Sequence, residues 1–186
     1  MVVVQFLRST AYSLGKWQRS FVSWDTALSS SQLADYSACV VLLVRHQTIY
    51  ILDVIRGRLE YPDLKRAVLE NYHRWNRMAP SCDLVIEKKG SGLSLMQELQ
   101  RDGIFAIGIT PEGDKIMRMA AQTATIEAGA VHLRVRAPWV EEFKKEILSF
   151  PVSKHDDQID ALSQALQRAF APGPPVAVFG TLGEIV

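Results

Sequence analysis

Short blocks of apolar and polar positions follow one another along this chain in a pattern that predicts an α/β fold. Phe21-Val22-Ser23-Trp24-Asp25-Thr26-Ala27 forms a short strand whose alternation sets Asp25 on one face with Ser23. After the polar loop Leu28-Ser29-Ser30-Ser31-Gln32 come two apolar, β-rich runs, Tyr36 to Val44 and Thr48 to Ile55. The short link Arg45-His46-Gln47 between them marks a hairpin. Three strands therefore open the domain as an antiparallel meander.

Tyr61-Pro62-Asp63 begins a helix with proline in its first turn, and Leu64, Ala67, Val68, Tyr72 and Trp75 form its apolar stripe up to Met78. Pro80 and Ser81 stop it. Asp83 to Glu87 is a fourth strand ending at an acid, Lys88-Lys89-Gly90-Ser91-Gly92 turns into a helix over Leu93–Arg101, and Ile104 to Ile109 is a fifth strand. Strand, helix and strand joined by short loops imply parallel pairing through a right-handed crossover. Helical stretches follow at Asp114 to Ala124 and Trp139 to Phe150, with the small strand Val131-His132-Leu133 between them. The last helix carries its buried stripe on Ile159, Leu162, Ala165, Leu166 and Ala169. Residues 1–20 form a lead-in segment, 21–171 the domain, and 172–186 a tail that starts at the helix-breaking Pro172-Gly173-Pro174-Pro175.

Composition narrows the classes. A chain of 186 residues, 48% of them hydrophobic, suits one domain that buries roughly two thirds of its unfolded surface. With 21 basic and 20 acidic residues the net charge is +1. No global field attracts a polyanion, and any nucleic-acid contact has to be a local basic patch. Cys39 and Cys82 sit among apolar neighbours, which suits buried thiols in a reducing compartment. The apolar start Met1 to Phe6 is interrupted by Arg8 too soon for a signal peptide. No run approaches the ~20 apolar residues of a membrane span, so a soluble, intracellular protein is expected.

The candidate chemistry gathers in His155-Asp156-Asp157-Gln158-Ile159-Asp160-Ala161-Leu162, where three carboxylates and a histidine fall within six residues. Asp156 or Asp157 could cap the first turn, where side-chain oxygens meet free N–H groups and the positive end of the helix dipole. Capping leaves Asp160 unexplained. It shares a face with Asp157 beside the apolar stripe, and desolvated like charges there call for a cation or a basic partner. A three-stranded meander followed by parallel strands, flanked by helices, describes a ribonuclease H-like mixed sheet. That topology brings an acid on the first strand, Asp25, near Glu87 on the fourth and Asp157 and Asp160 on the last helix. Hard carboxylate oxygens suit Mg²⁺ or Mn²⁺.

The segments also resemble a specific family, the C-terminal nuclease domain of the large terminase subunit of tailed bacteriophages and prophages. Ser23-Trp24-Asp25-Thr26-Ala27 with Ala34-Asp35-Tyr36-Ser37-Ala38 resembles its first strand and the start of its second; Tyr50 to Leu59 resembles its third. Ile86-Glu87 followed by Gly90-Ser91-Gly92-Leu93-Ser94-Leu95 resembles its second acidic site. Asp114-Lys115 with Arg118, Ile126-Glu127-Ala128-Gly129, and Phe150-Pro151 with His155–Leu162 complete the likeness over residues 15 to 168.

The resemblance implies a metal-dependent endonuclease that cuts concatemeric double-stranded viral DNA through two Mg²⁺ or Mn²⁺ ions. Asp25, Glu87, Asp157 and Asp160 are the implied metal ligands and catalytic residues, with Asp156 an alternative ligand. His155 either orients a water or ligand or is a simple helix-start residue. Asp35 is expected as a turn or strand-start residue, and Asp53 as a surface or salt-bridge residue. Lys88, Lys89, Lys115, Arg118, Arg134 and Arg136 are the candidate DNA-backbone contacts, Lys88 and Lys89 flanking the metal site unless they only keep a loop soluble. No base-reading motif is evident, so little sequence preference is expected. The implied partners are an ATPase domain, the portal and the small terminase subunit, in the cytoplasm of a bacterial host and with no membrane.

No G-x-x-x-x-G-K-[ST] phosphate loop occurs, since Gly90-Ser91-Gly92 is too short and lacks the following lysine. The expectation is an isolated nuclease domain or a truncated prophage product that does not translocate DNA unaided. Two rival classes remain: another ribonuclease H-like nuclease of the Holliday-junction resolvase type, and a non-catalytic module docking on the portal.

Overall fold

The computed structural model describes residues 5–7, 19–27, 36–79, 81–134, 136–153 and 155–171. Asp35, Pro80, the loop at 28–32, most of the lead-in segment and the tail at 172–186 lie outside the described residues. The strands are β1 (Gln5–Leu7), β2 (Arg19–Asp25), β3 (Ser37–Arg45), β4 (Thr48–Gly57), β5 (Cys82–Glu87), β6 (Ile107–Ile109) and β7 (Val131–Arg134). The helices are α1 (Tyr61–Asn76), α2 (Ser91–Arg101), α3 (Lys115–Glu127), α4 (Val140–Ser149) and α5 (Asp157–Phe170).

One seven-stranded sheet has the order β1-β7-β4-β3-β2-β5-β6. The meander β2-β3-β4 is antiparallel, and every other pairing is parallel. Only β3 therefore runs against the rest, and β2, β4, β5, β6 and β7 all end at one edge. In open sheets of this kind the crevice outside the carboxyl ends of the strands is where ligands bind.

Three differences from the sequence reading have local causes. β1 lies within the stretch taken as a lead-in; three residues are too few to show a period. β6 starts at Ile107 rather than Ile104, because the Ile104 N–H donates to the Leu99 carbonyl at 2.8 Å and closes α2 instead. α3 runs on to Glu127, beyond Ala124, with its first turn capped by Asp114, which accepts from the Ile116 N–H.

Alternation along the strands splits the core in two. Phe21, Ala38, Val40, Leu42, Ile49 and Ile51 pack under α3, α4 and α5, against Met119, Phe143, Ile159, Leu162 and Leu166. Val22, Trp24, Cys39, Val41, Leu84 and Ile86 pack on the other face against Leu64, Val68 and Trp75 of α1 and Leu95 and Leu99 of α2. α5 crosses the middle of the sheet over β2 and β3, almost wholly buried. Ala161 and Ala165 on its inner side let the helix approach closely.

A bulge decides where the end of β4 points. Val41 pairs with Asp53 and Leu42 with Ile51, so Leu52 is the extra residue. Ile49 and Ile51 face α5, but beyond the bulge it is Val54 that does, while Asp53 turns to the α1 side and meets Arg74 at 3.5 Å. Continued alternation from Val54 then puts Arg56 on the α5 side. Without the extra residue Arg56 would face away.

Candidate functional site

β2 and β5 are parallel neighbours with Trp24 beside Ile86, so the next residues, Asp25 and Glu87, end side by side. Trp24 and Ile86 belong to the α1–α2 layer. The two acids, one step further along, project toward α5. The Asp25 and Glu87 carboxyls are hydrogen-bonded to each other. Burial, then the Glu87 charge and hydrogen bond, and lastly Asp160 and Asp157 push the Asp25 carboxyl well above its usual range. Glu87 is itself buried, and Gln164 of α5 donates from Nε2 to its Oε2 at 3.3 Å.

The turn behind Glu87 is built for close approach. Gly90 adopts φ 52° and ψ −123°, a combination that a side chain disfavours. At Gly92 a Cβ would run into the Glu87 carbonyl oxygen. The Ser91 hydroxyl donates to the Ala27 carbonyl at 2.7 Å, and the Ala27 N–H donates to Ser37 Oγ at 3.1 Å. The ends of β2 and β5, the start of β3 and the start of α2 are thereby fastened together around the two acids.

The third contribution comes from the first turn of α5. Its cap is Glu146 of α4, a buried carboxylate that accepts from the Gln158 N–H at 2.9 Å, the Ile159 N–H at 3.3 Å and the Gln158 side-chain amide. Burial raises the Glu146 carboxyl, and those hydrogen bonds work against the rise. Because Glu146 takes the free N–H groups, Asp156 and Asp157 do not cap, although Asp156 occupies the cap position. Asp157 Oδ2 is buried with no hydrogen-bond partner, and Arg56 Nη2 lies 3.7 Å away. Burial raises the Asp157 carboxyl and Arg56 partly offsets that.

Asp156 and Asp160 are held from α3. Lys115 Nζ donates to Asp156 Oδ2 and stands 3.5 Å from Asp160 Oδ2; Arg118 Nη2 donates to Asp160 Oδ1 at 2.7 Å. Burial disfavours charge on Lys115, but the two carboxylates outweigh it and hold the ammonium above its usual range. Lys115 and Arg118 share a cleft of about 500 Å³ with Glu87, Lys88, Lys89 and Asp160. The stem of Lys88 lies across Gly108 of β6, where a Cβ would push it and the end of Met96 aside.

His155 sits at the rim, its ring edge-on to Tyr36 at 5.2 Å. Of the remaining sequence candidates, Arg134 ends β7, separated from β2 by β4 and β3, and near Asp53. Arg136 follows in an exposed turn at φ 62°. The structure therefore gathers Asp25, Glu87, Asp157, Asp160 and Asp156 with Lys88, Lys89, Lys115 and Arg118, and sets Arg134 and Arg136 apart. Three neighbours of the site escaped the sequence reading. Glu146 had a signal, since it stands with Val140 and Phe143 at helical spacing on an otherwise apolar stripe. Gln164 and Arg56 had none.

The donor set fits a divalent cation. Among the described residues no three Asp, Glu, His or Cys side chains stand close enough together to enclose an ion as placed, and Asp156 and Asp160 are engaged by Lys115 and Arg118. Yet Asp25 and Glu87 face each other in a setting that two ionised carboxylates resist, and Asp157, within electrostatic reach of Asp25, has a buried oxygen that accepts no hydrogen bond. A hard cation resolves both features.

A family model for the terminase RNaseH-like domain matches residues 22–169. The large terminase nuclease from the thermophilic phage G20c with bound zinc is similar in structure at 17% identity. That match covers 90% of this chain and 94% of the other, with a TM-score of 0.61. The human cytomegalovirus terminase nuclease domain, manganese-soaked and inhibitor-bound, is similar at 10% identity, 82% and 83% coverage and a TM-score of 0.60. The large terminase of another thermophilic bacteriophage is similar at 10% identity and a TM-score of 0.57; the match covers 83% of this chain but 41% of that protein. This chain thus spans less than half the length of that large terminase. No curated protein matches the chain by sequence. The sheet order, the strand-end acids and the family match over 22–169 agree: this chain belongs to the terminase RNaseH-like domain family, with a ribonuclease H-like fold.

Proposed function

We propose that this chain is a divalent-metal-dependent endonuclease domain that cuts concatemeric double-stranded DNA during viral genome packaging. The observation that carries the reading is the close Asp25–Glu87 pair at the ends of parallel strands, Glu87 buried and Asp25 half-buried, with Asp157 and Asp160 of α5 within electrostatic reach. Asp25, Glu87, Asp157 and Asp160 hold the metal, and Asp156 is the alternative ligand. Two Mg²⁺ or Mn²⁺ ions bound there would supply an activated water and stabilise the departing oxygen of a phosphodiester. The chain's own part is to keep the carboxylates oriented: Gln164 steadies Glu87, and Glu146 fixes the α5 turn that carries Asp157 and Asp160. Lys88 and Lys89 line the adjoining cleft and attract the phosphate backbone.

Among the described residues no helix is long and apolar enough to cross a membrane. Work beside an ATPase domain, a portal and a small terminase subunit in the bacterial cytoplasm is part of the same proposal. The test is nicking of supercoiled plasmid in Mn²⁺, by wild type and by the Asp25→Asn and Asp157→Asn variants. Wild type nicks and both variants do not, with native folds by circular dichroism; equal nicking by all three refutes the assignment.

A further inference from the structure

The acids are flanked on their β5–β6 side by Lys88 and Lys89, but cations also gather on the opposite flank, at the end of β4. There the Arg56 guanidinium lies 3.9 Å from the centre of the Tyr36 ring and that of Arg58 4.7 Å from it, with His155 edge-on to the same ring. Two like charges on one aromatic ring repel each other, and neither Arg58 nor Lys145 has a carboxylate partner among the described residues. Arg56 hydrogen-bonds through Nη1 to the exposed Glu142 at 2.6 Å, while its Nε and Nη2 are buried without hydrogen bonds. A cleft of about 560 Å³ opens beside it, lined by Arg56, Lys145, Ser153 and His155 together with the carboxylates of Glu142 and of Glu146, the latter engaged with the start of α5, and the Ser153 hydroxyl is also without a partner. Arg56 is balanced by Glu142 and Asp157, which leaves Arg58 and Lys145 as the uncompensated charges of this surface, and two such cations near Arg56 suit a phosphate group.

We propose that this surface binds a backbone phosphate of duplex DNA, with Arg58 and Lys145 as its outer cations and Arg56 as its inner one. The idea rests on the nuclease reading and gives the duplex a path: from the Lys88–Lys89 cleft, over the acids, to the end of β4. Phosphate takes the place of Glu142 on Arg56. Arg134 and Arg136, on or beyond the more distant β7, are outside that path.

The test measures duplex affinity in chelator against salt concentration, for the full chain and for Arg58→Ala, Lys145→Ala and the control Arg66→Ala on α1. Arg58 and Lys145 are exposed, so truncating them does not threaten the core. Each loss of a phosphate contact lowers the slope of log K against log salt by about 0.9. The expected result is that drop for Arg58→Ala and for Lys145→Ala, a severalfold weaker affinity, and no change for Arg66→Ala. Slopes equal to wild type in both variants, or losses no larger than that of Arg66→Ala, overturn the proposal. Plasmid nicking by Asp25→Asn is followed in parallel. Nicking that persists there sinks the nuclease reading, while the salt slope still judges this surface on its own.

Discussion

Replacing Asp25 by asparagine should stabilise the metal-free protein while abolishing its response to divalent ions. The half-buried Asp25 carboxyl, desolvated and set against Glu87, titrates well above its usual range. The native state therefore keeps a proton that the unfolded chain releases. Its stabilising contribution is fully present below the ordinary carboxylate pKa near 4 and is lost as pH rises through the raised native value. Across that window each pH unit costs about 1.4 kcal/mol. An asparagine amide donates to Glu87 as the shared proton does, without titrating. At pH 8 in chelator the variant should therefore be more stable than wild type, and its advantage should grow as pH rises through the raised Asp25 value. Adding Mn²⁺ works in the opposite direction: at a hundredfold excess over its Kd an ion that binds only the native state adds about 2.7 kcal/mol to wild type and nothing to the variant. Urea denaturation at several pH values, with chelator and with Mn²⁺, reads both effects. A variant less stable than wild type at pH 8 in chelator, with the same pH slope, refutes the buried-pair argument.

Other perturbations probe the supports. Gly92→Ala drives a methyl into the Glu87 carbonyl, which is backbone and cannot swing aside, so a loss of about 3 kcal/mol in urea denaturation is expected; a neutral effect would mean the α2 turn is looser than its contacts imply. Glu146→Ala removes the cap of α5 and should cost about 1–2 kcal/mol and weaken Mn²⁺ binding by calorimetry, with Glu146→Gln recovering part of both. Loss of stability with unchanged metal affinity would reduce Glu146 to a purely structural role. Lys115→Gln with Arg118→Gln frees Asp156 and Asp160 from their cations; calorimetry should show tighter Mn²⁺ binding, and unchanged affinity would show that the pairs do not compete with the ion.

What could be read from the chain divides along physical lines. The strands and helices of the core were legible because the short apolar runs Phe21–Trp24 and Leu84–Ile86 and the 3.6-residue pattern of Ile159–Leu166 are local and strong, whereas the split of the core into two layers emerges only from the fold. The meander was legible for the same reason, since the Arg45–Gln47 link leaves β3 and β4 little choice but to pair. Once β2 and β5 are parallel neighbours, Asp25 and Glu87 at their ends must meet, so that juxtaposition follows from the order of elements alone. Cross-chain contacts were a different matter. Asp156 and Asp157 at a helix start suggested self-capping, yet Glu146, ten residues or more upstream on another helix, reaches the N–H groups first and leaves the acids to other partners. The direction of Arg56 was equally hidden, because one extra residue at Leu52 reverses the parity of everything after it, and no composition or spacing announces a bulge.

That reversal links the fold to the site more tightly than the acids do by themselves. Asp53 and Arg56, three residues apart, point to opposite faces, and the bulge decides that Asp53 meets Arg74 on the α1 side while Arg56 lies beside Asp157 on the other. Four acids converging on one strand edge would repel one another and any phosphate brought to them. Cations placed on both flanks, Arg56 from the sheet and Lys115 and Arg118 from α3, pair with those acids and let them be crowded in the folded chain although the whole protein is nearly neutral. The net charge of +1 thus says little about the partner; the placement of charge along this one edge says much more.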